Sequence, residues 1–369
     1  MRIVIFGSFI DYELQFSKAI SNLLEVLVVL TTSKIPKEYE PSMNSKVAYY
    51  TFENVNTKSY VNKIRKYHDA LKTINRFKPD IIHFQLGGSI LDFSIFLYSY
   101  FKGIPTVITY HDVNPHLGER HPFAVIIVRN VMRKYTKAII VHGKLLREQM
   151  INENRVPANK VHSLHIGEHE VAPFKMYEKP EITEDVDSVL FFGRIYEYKG
   201  LEYLIKAEPL ITEKVPGCKI IIAGEGENFE KYNNMIHDRK EHFIIHNSHI
   251  SYKDGAELFQ RSSIVVLPYI EASQSGVIPT AYGFKKPVVV TRVGSIPEIV
   301  DEGKTGFIVQ PRDSQALAEA IIKLLKDDKL RREMGENAFK KLKQEFSWED
   351  ISEQTNEIYK MVLHNKRKP

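Results

Sequence analysis

Cysteine is nearly absent: Cys218 is the single one in 369 residues. That excludes an intrachain disulfide framework and any zinc cage built from several thiolates. Tryptophan is as scarce, with Trp348 alone. Long apolar runs are missing too. The run at 124–128, Ala-Val-Ile-Ile-Val, falls well short of the roughly 18–20 residues that a membrane-spanning helix needs. The opening run at 2–6 is too short for the apolar centre of a secretory signal, so a cytoplasmic chain is the expectation. There is no low-complexity block and no repeat of fixed period, which argues against a solenoid. What is present is ordinary globular composition, 43% hydrophobic and 26% charged. The length suits two domains of about 100–200 residues each.

Short β-branched runs at 2–6, 25–30, 47–52, 80–84, 106–110, 138–141 and 161–165 read as strands. Between some of them the apolar residues recur three or four apart, as Val61, Ile64, Tyr67, Leu71, Ile74 and Phe77 do. This alternation predicts a parallel sheet covered by helices. It pauses at 171–187, where two prolines and seven charges fall without periodicity, so that stretch reads as a linker. A second series follows, with strands at 188–192, 218–223, 242–245, 264–267, 287–291 and 306–309. Helical patterns lie between them and close the chain at 327–344 and 348–363. The expectation is α/β: two doubly wound, Rossmann-like domains, 1–170 and 188–346, facing a central cleft. In such sheets ligands sit beyond the carboxyl ends of the strands, where strand order reverses.

The second domain carries the informative motifs. Phe192-Gly193-Arg194 is followed by Lys199-Gly200 and a helical pattern. Glycines admit close backbone approach, Arg194 offers a planar fork and Lys199 a point charge. That is a diphosphate site in outline, although a plain strand-to-helix turn with exposed cations would read the same. Ala223-Gly224-Glu225-Gly226 is a second tight turn at a strand end. In Leu267-Pro268-Tyr269-Ile270-Glu271-Ala272-Ser273-Gln274-Ser275-Gly276-Val277 a helix is expected from about Ser275. Its first N–H groups, from Ser275, Gly276 and Val277, would suit an anion. Val293-Gly294-Ser295-Ile296-Pro297-Glu298-Ile299-Val300 and Gly303-Lys304-Thr305-Gly306-Phe307 complete the series.

In this order and spacing the motifs resemble the retaining glycosyltransferases of family 4, with the GT-B fold. The resemblance covers 188–325 firmly and continues weakly through Trp348. It implies a nucleotide-diphosphate sugar, UDP- or GDP-linked, bound mainly by the second domain, and a glycan or lipid-linked acceptor bound mainly by the first. It implies retention of anomeric configuration without a metal or other cofactor, and a last helix, 347–364, that crosses back onto the first domain. Arg194 and Lys199 match the pair that neutralises the donor diphosphate. Gly193, Gly224, Glu225, Ser275, Gly276 and Val277 match the donor cradle. The family commonly carries two glutamates seven residues apart in this loop. Here Glu271 falls one residue early for the first, and Thr280 occupies the second, where only a hydroxyl is on offer.

In the first domain, Thr109-Tyr110-His111-Asp112 resembles the family's His-Asp segment, which makes His111 the candidate for sugar or acceptor contact; a histidine capping a turn would read the same. Gly7, Ser8, His83 and Asp112 are further acceptor-side candidates, with Gly87-Gly88-Ser89 a weaker one. His165-Ile166-Gly167-Glu168-His169 matches the text pattern of some zinc peptidases, but Gly167 argues against the helix that pattern needs, so no metal site is expected.

The net charge of +5 hides an asymmetry. Residues 1–175 hold 23 lysines and arginines against 15 acidic residues, and the rest hold 28 against 31. The stretch from His121 to Tyr135 reads as a helix with an apolar side and with Arg129, Arg133, Lys134 and Lys137 near one end. It is a core helix with a solvated basic end or a helix at an anionic membrane surface. No aromatic–basic interleaving suggests nucleic acid. A sugar-nucleotide epimerase and a non-catalytic nucleotide-sugar binder remain the alternatives to a glycosyltransferase.

Overall fold

The computed structural model describes all residues except 32–34, 36–38, 41–42, 53–59, 86–89, 115–121, 169–170, 227–228 and 367–369. The weak candidate Gly87-Gly88-Ser89 lies outside the described residues. The chain divides into two compact units, Met1–His169 with Ser347–Pro369, and Glu170–Phe346.

The first unit runs β1 (Arg2–Gly7), α1 (Ile10–Ile20), β2 (Glu25–Leu30), β3 (Val47–Thr51), α2 (Tyr60–Phe77), β4 (Ile81–Gln85), α3 (Ile90–Phe101), β5 (Thr106–Tyr110), α4 (Phe123–Tyr135), β6 (Ala138–His142), α5 (Lys144–Asn152) and β7 (Val161–Leu164). Its seven strands are parallel in the order β3-β2-β1-β4-β5-β6-β7. The central strands are buried on both faces, which is why they read as continuous apolar runs rather than as alternation. Val4, Phe6, Ile82, Phe84 and Ile108 pack on one face, Ile3, Ile5, Ile81, Val107 and Ile140 on the other.

That second face is covered by α1 and by the final helix of the chain, which belongs to this unit. Trp348 sets its ring 5.1 Å from Tyr12 and 6.0 Å from Phe16. Ile351, Ile358, Tyr359 and Val362 follow on the same face of that helix. Gly167, at φ +82°, lies against the Trp348 ring, so a side chain there would press on it.

The second unit runs α6 (Val171–Lys175), β8 (Ser188–Phe192), α7 (Leu201–Lys214), β9 (Lys219–Ala223), α8 (Glu230–Ile236), β10 (Phe243–His246), α9 (Tyr252–Arg261), β11 (Ile264–Leu267), α10 (Val277–Gly283), β12 (Val288–Thr291), α11 (Ile296–Ile299), β13 (Gly306–Val309), α12 (Ser314–Lys326) and α13 (Asp328–Glu345), with α14 (Trp348–Lys366) returning to the first. Its six parallel strands lie in the order β10-β9-β8-β11-β12-β13.

Two expectations are corrected. The stretch 171–187 is not a free linker. Phe174 is buried against Gly255, with its ring 5.0 Å from Tyr252 and 5.6 Å from both Phe192 and Phe259. Backbone groups of Lys179 pair with the Gln260 amide at 3.0 and 2.7 Å, and Glu184 bridges Lys286 and Arg331 at 3.1 Å each. One aromatic anchor and paired polar groups dock a segment that has no apolar period. The basic end of α4 is also less exposed than its sequence implies. Arg129 is buried over the Tyr110 ring and donates to the Asp112 carbonyl at 2.7 Å, and Arg133 stands 5.9 Å from the same ring. Lys134 and Lys137 are the exposed cations there.

Candidate active site

Each sheet reverses its strand order once beside its first strand, between β1 and β4 in one unit and between β8 and β11 in the other. Helices leave on opposite faces at such a point, so a crevice opens beyond the carboxyl ends of the two strands. The predicted residues cluster at these two places.

In the second unit the loops after β8, β9, β11 and β12 are stitched together by their backbones. Gly193 N–H donates to Ala223 O at 2.9 Å and Ile195 N–H to Glu225 O at 2.8 Å, so the β8–β9 pairing continues past the sheet. A side chain at Gly224, at φ +148°, would collide with the Gly193 carbonyl. Ile270 N–H donates to Tyr198 O at 2.8 Å, and Gly200, at φ +67°, presses on the Pro268 carbonyl. Ser295 N–H donates to Ser273 O at 3.0 Å. These glycines serve close backbone packing, which gives the cations above them a stiff base.

Lys199 Nζ stands 3.8 Å from the centroid of the buried Tyr269 ring and 5.1 Å from that of Tyr198. The Arg194 guanidinium is exposed, 5.5 Å from the Tyr196 ring, and Tyr196 and Tyr198 stack 6.0 Å apart at 8°. Aromatic faces attract cations without neutralising them. Both cations are therefore held against aromatic rings on this base. Glu225 is exposed beside them, and Glu271 is half-buried with its N–H toward Tyr198 O at 3.4 Å.

The loop at 275–280 differs from expectation. Helix α10 begins at Val277 and has seven residues. The Val277 N–H donates to the buried Ser275 hydroxyl at 3.3 Å, and that hydroxyl lies 3.3 Å from the Tyr269 hydroxyl. An anion at the Val277 N–H would have to displace the serine hydroxyl. Thr280 is fully buried, and its hydroxyl donates to Gly276 O at 3.0 Å. It closes the first turn of α10 and does not point outward as a ribose ligand would.

In the first unit, Gly7 ends β1 and Ser8 is exposed after it. A side chain at Gly7 would collide with the Glu13 carboxyl and come within 2.8 Å of Gln85 Cβ. His111 follows β5 and is buried among rings: Phe9 at 4.6 Å, Tyr12 edge-on at 4.9 Å and His142 at 4.9 Å. Its Nε2 lies 3.1 Å from Gln85 Oε1. Asp112 is half-buried beside it. His83 is a correction. It is 1% exposed, with both ring nitrogens engaged, Nδ1 with Tyr359 at 2.6 Å and Nε2 with Thr109 at 2.7 Å. Burial pushes its pKa down to about 3. It braces β4 against α14 and has no nitrogen left for an acceptor.

Two residues escaped the sequence reading. Gln85 sits two positions after His83 on β4 and so shares its face, a period-2 signal that was available. Glu13 lies inside an apolar helix and gave no such signal. It is wholly buried, and burial pushes its carboxyl up to about 8 despite the Phe9 N–H that lowers it. Its Oε2 has no hydrogen-bond partner among the described residues. The peptidase-like pattern lies only partly within the described residues. Gly167 has positive φ in a loop, and His169 lies outside the described residues. Among the described residues no group of three or more His, Cys, Asp and Glu side chains is arranged to hold a metal.

Two family models match the chain, Glycosyltransferase Family 4 over residues 14–167 and Glycosyl transferases group 1 over residues 175–341. The chain belongs to glycosyltransferase family 4. Its two helix-flanked parallel sheets are those of GT-B glycosyltransferase structures. Among curated relatives of this glycosyltransferase is the uncharacterized glycosyltransferase MJ1607 of Methanocaldococcus jannaschii, 26% identical over 61% of this chain and 60% of the relative. Another is the capsular polysaccharide biosynthesis glycosyltransferase CapM of Staphylococcus aureus, 25% identical over 65% of this chain and 66% of the relative. The chain thus spans a little under two thirds of each. Anabaena Alr3699/HepE, solved in complex with UDP, aligns over 98% of this chain and 100% of its own with a TM-score of 0.77 and 17% identity.

Proposed function

We propose that this glycosyltransferase moves a sugar, with retention, from a nucleotide-diphosphate donor to a hydroxyl of a glycan or lipid-linked glycan in cell-surface polysaccharide or glycoconjugate synthesis. The observation that carries the reading is Arg194 and Lys199 on glycine-packed loops at the strand-order reversal of the second sheet. As the bond from the sugar C1 to the diphosphate oxygen breaks, negative charge grows on the leaving group. Two oriented cations stabilise that charge more in the transition state than in the ground state. The acceptor oxygen bonds to C1 on the face the diphosphate is leaving, and its proton passes to a diphosphate oxygen. Glu271 and the 275–277 backbone would hold the donor sugar and distal phosphate, and His111 would meet the sugar or acceptor. No metal or other cofactor enters this scheme, because the two cations supply the neutralising charge. UDP in the Anabaena structure supports a uridine nucleotide, and the CapM relative supports a polysaccharide acceptor.

The test is donor-dependent transfer, with hydrolysis as a second readout, across UDP- and GDP-sugars. Replacing Arg194 and Lys199 together by Ala should cost turnover about a hundredfold or more. Activity near wild type in that double variant would remove the assignment.

The finer partner is an anionic membrane surface. Helix α4 contains no acidic residue, and its outward residues include Phe123 (77% exposed), Ile126, Ile127 and Lys134. Exposed apolar side chains beside lysines suit a bilayer carrying anionic lipid. Among the described residues no helix is long and apolar enough to cross a membrane.

A further inference from the structure

We propose that Tyr196 is the positioning residue for Arg194: its ring face orders the guanidinium before the donor diphosphate arrives. Ile195, between them, is fully buried, and its N–H donates to Glu225 O at 2.8 Å while it bridges to Gly226. Side chains alternate along an extended backbone. Arg194 and Tyr196 therefore fall together on the other side, the first exposed and the second half-buried. The Arg194 guanidinium carbon stands 5.5 Å from the centroid of the Tyr196 ring. Among the described residues no hydrogen bond or ion pair joins that guanidinium.

A long, exposed arginine samples many rotamers, and ordering it on an anion opposes binding. A ring face attracts the cation without neutralising its charge. It narrows those rotamers in advance and leaves the N–H fork to the anion. The ring is itself fixed. Tyr196 stacks on the buried Tyr198 at 8°, with centroids 6.0 Å apart. The Tyr198 carbonyl accepts the Ile270 N–H at 2.8 Å, which ties the stacked pair to the loop after β11. Tyr198 also lies 5.1 Å from Lys199 Nζ, so one stacked pair touches both cations. The Tyr196 hydroxyl enters no hydrogen bond among the described residues, so the ring face is the part that acts on Arg194.

The inference rests on Arg194 meeting the diphosphate, and the experiment separates the two claims. UDP and GDP are titrated into the full chain by calorimetry, and the tighter of the two is carried through the variants. Arg194→Ala should weaken it about tenfold or more. Tyr196→Leu, which keeps apolar bulk without a π face, should weaken it about two- to fivefold. Tyr196→Phe should bring the affinity back. In the Arg194→Ala background, Tyr196→Leu should change nothing further, whereas a merely structural role would weaken binding there as well. Should Tyr196→Leu not fold, Tyr196→4-cyanophenylalanine, an electron-poor ring of similar shape, should still bind more weakly than Tyr196→Phe. Wild-type affinity in Arg194→Ala, or no binding of either nucleotide, removes the diphosphate reading and this inference with it. A loss in Arg194→Ala with wild-type affinity in Tyr196→Leu overturns this inference alone. Equal losses from Tyr196→Leu in both backgrounds do the same, as does equal affinity in the cyano and Phe variants.

Discussion

Glu13 and His83 are both kept neutral by burial, and they tie stability to pH in opposite directions. Glu13 has its pKa raised from 4.5 to about 8, so above 4.5 the folded chain keeps a proton that the unfolded chain releases. Its contribution is whole below 4.5 and is lost as pH rises to 8. His83 has its pKa lowered from 6.5 to about 3, so below 6.5 the unfolded chain gains a proton that the folded chain refuses. Its contribution is whole above 6.5 and is lost as pH falls toward 3. Between 4.5 and 6.5 the two slopes oppose. Urea unfolding at stepped pH should show the Glu13 loss between 6.5 and 8 in wild type and its disappearance in Glu13→Gln. An unchanged slope in that variant would assign the loss elsewhere. Thr280 gives a second prediction at this scale. If its hydroxyl only closes the α10 turn, Thr280→Val costs about 1 kcal/mol of stability and leaves UDP affinity, measured by calorimetry, unchanged. A tenfold loss of UDP affinity would instead make it a ribose ligand.

Loops and helices depend on a few such contacts. Gly224→Ala drives a methyl into the Gly193 carbonyl and strains a left-handed backbone, so it should lower the melting temperature and weaken UDP binding together. Tyr359→Phe leaves His83 Nδ1 buried without its partner and should cost about 1–3 kcal/mol in urea unfolding, because β4 loses its polar link to α14. The strands were legible in the sequence because central strands of a parallel sheet are apolar on both faces. The Arg194–Lys199 pair was legible because glycine and cation types fall at a strand end. Docking at 171–187 was not, since one phenylalanine carries no period. The inward turn of Thr280 was not either, because a threonine at the start of a helix bonds a backbone carbonyl or a ligand with the same hydroxyl. His83 and Gln85 show the remaining difficulty. They stand two apart on one strand face, yet one is walled in by Tyr359 from a helix 276 positions away and the other faces His111.

Across the molecule the positive excess lies in the first 175 residues, and its outward expression at the end of α4 is Lys134, with Lys137 just after the helix, beside an apolar surface. Flotation with vesicles should show binding to phosphatidylglycerol but not to phosphatidylcholine. Binding should weaken with salt and fall in Phe123→Ser/Ile127→Ser. Equal binding to both lipids would remove the electrostatic part. The division of the chain also makes the first unit depend on a distant segment. The second unit, Glu170–Phe346, holds its own core residues without α14. The first unit cannot seal the face of Tyr12, Phe16 and His83 without α14. A released chain that stops at Phe346 should therefore resist protease in its second unit and be cut in its first. The sheet that is translated first depends for its cover on the helix that is translated after both units.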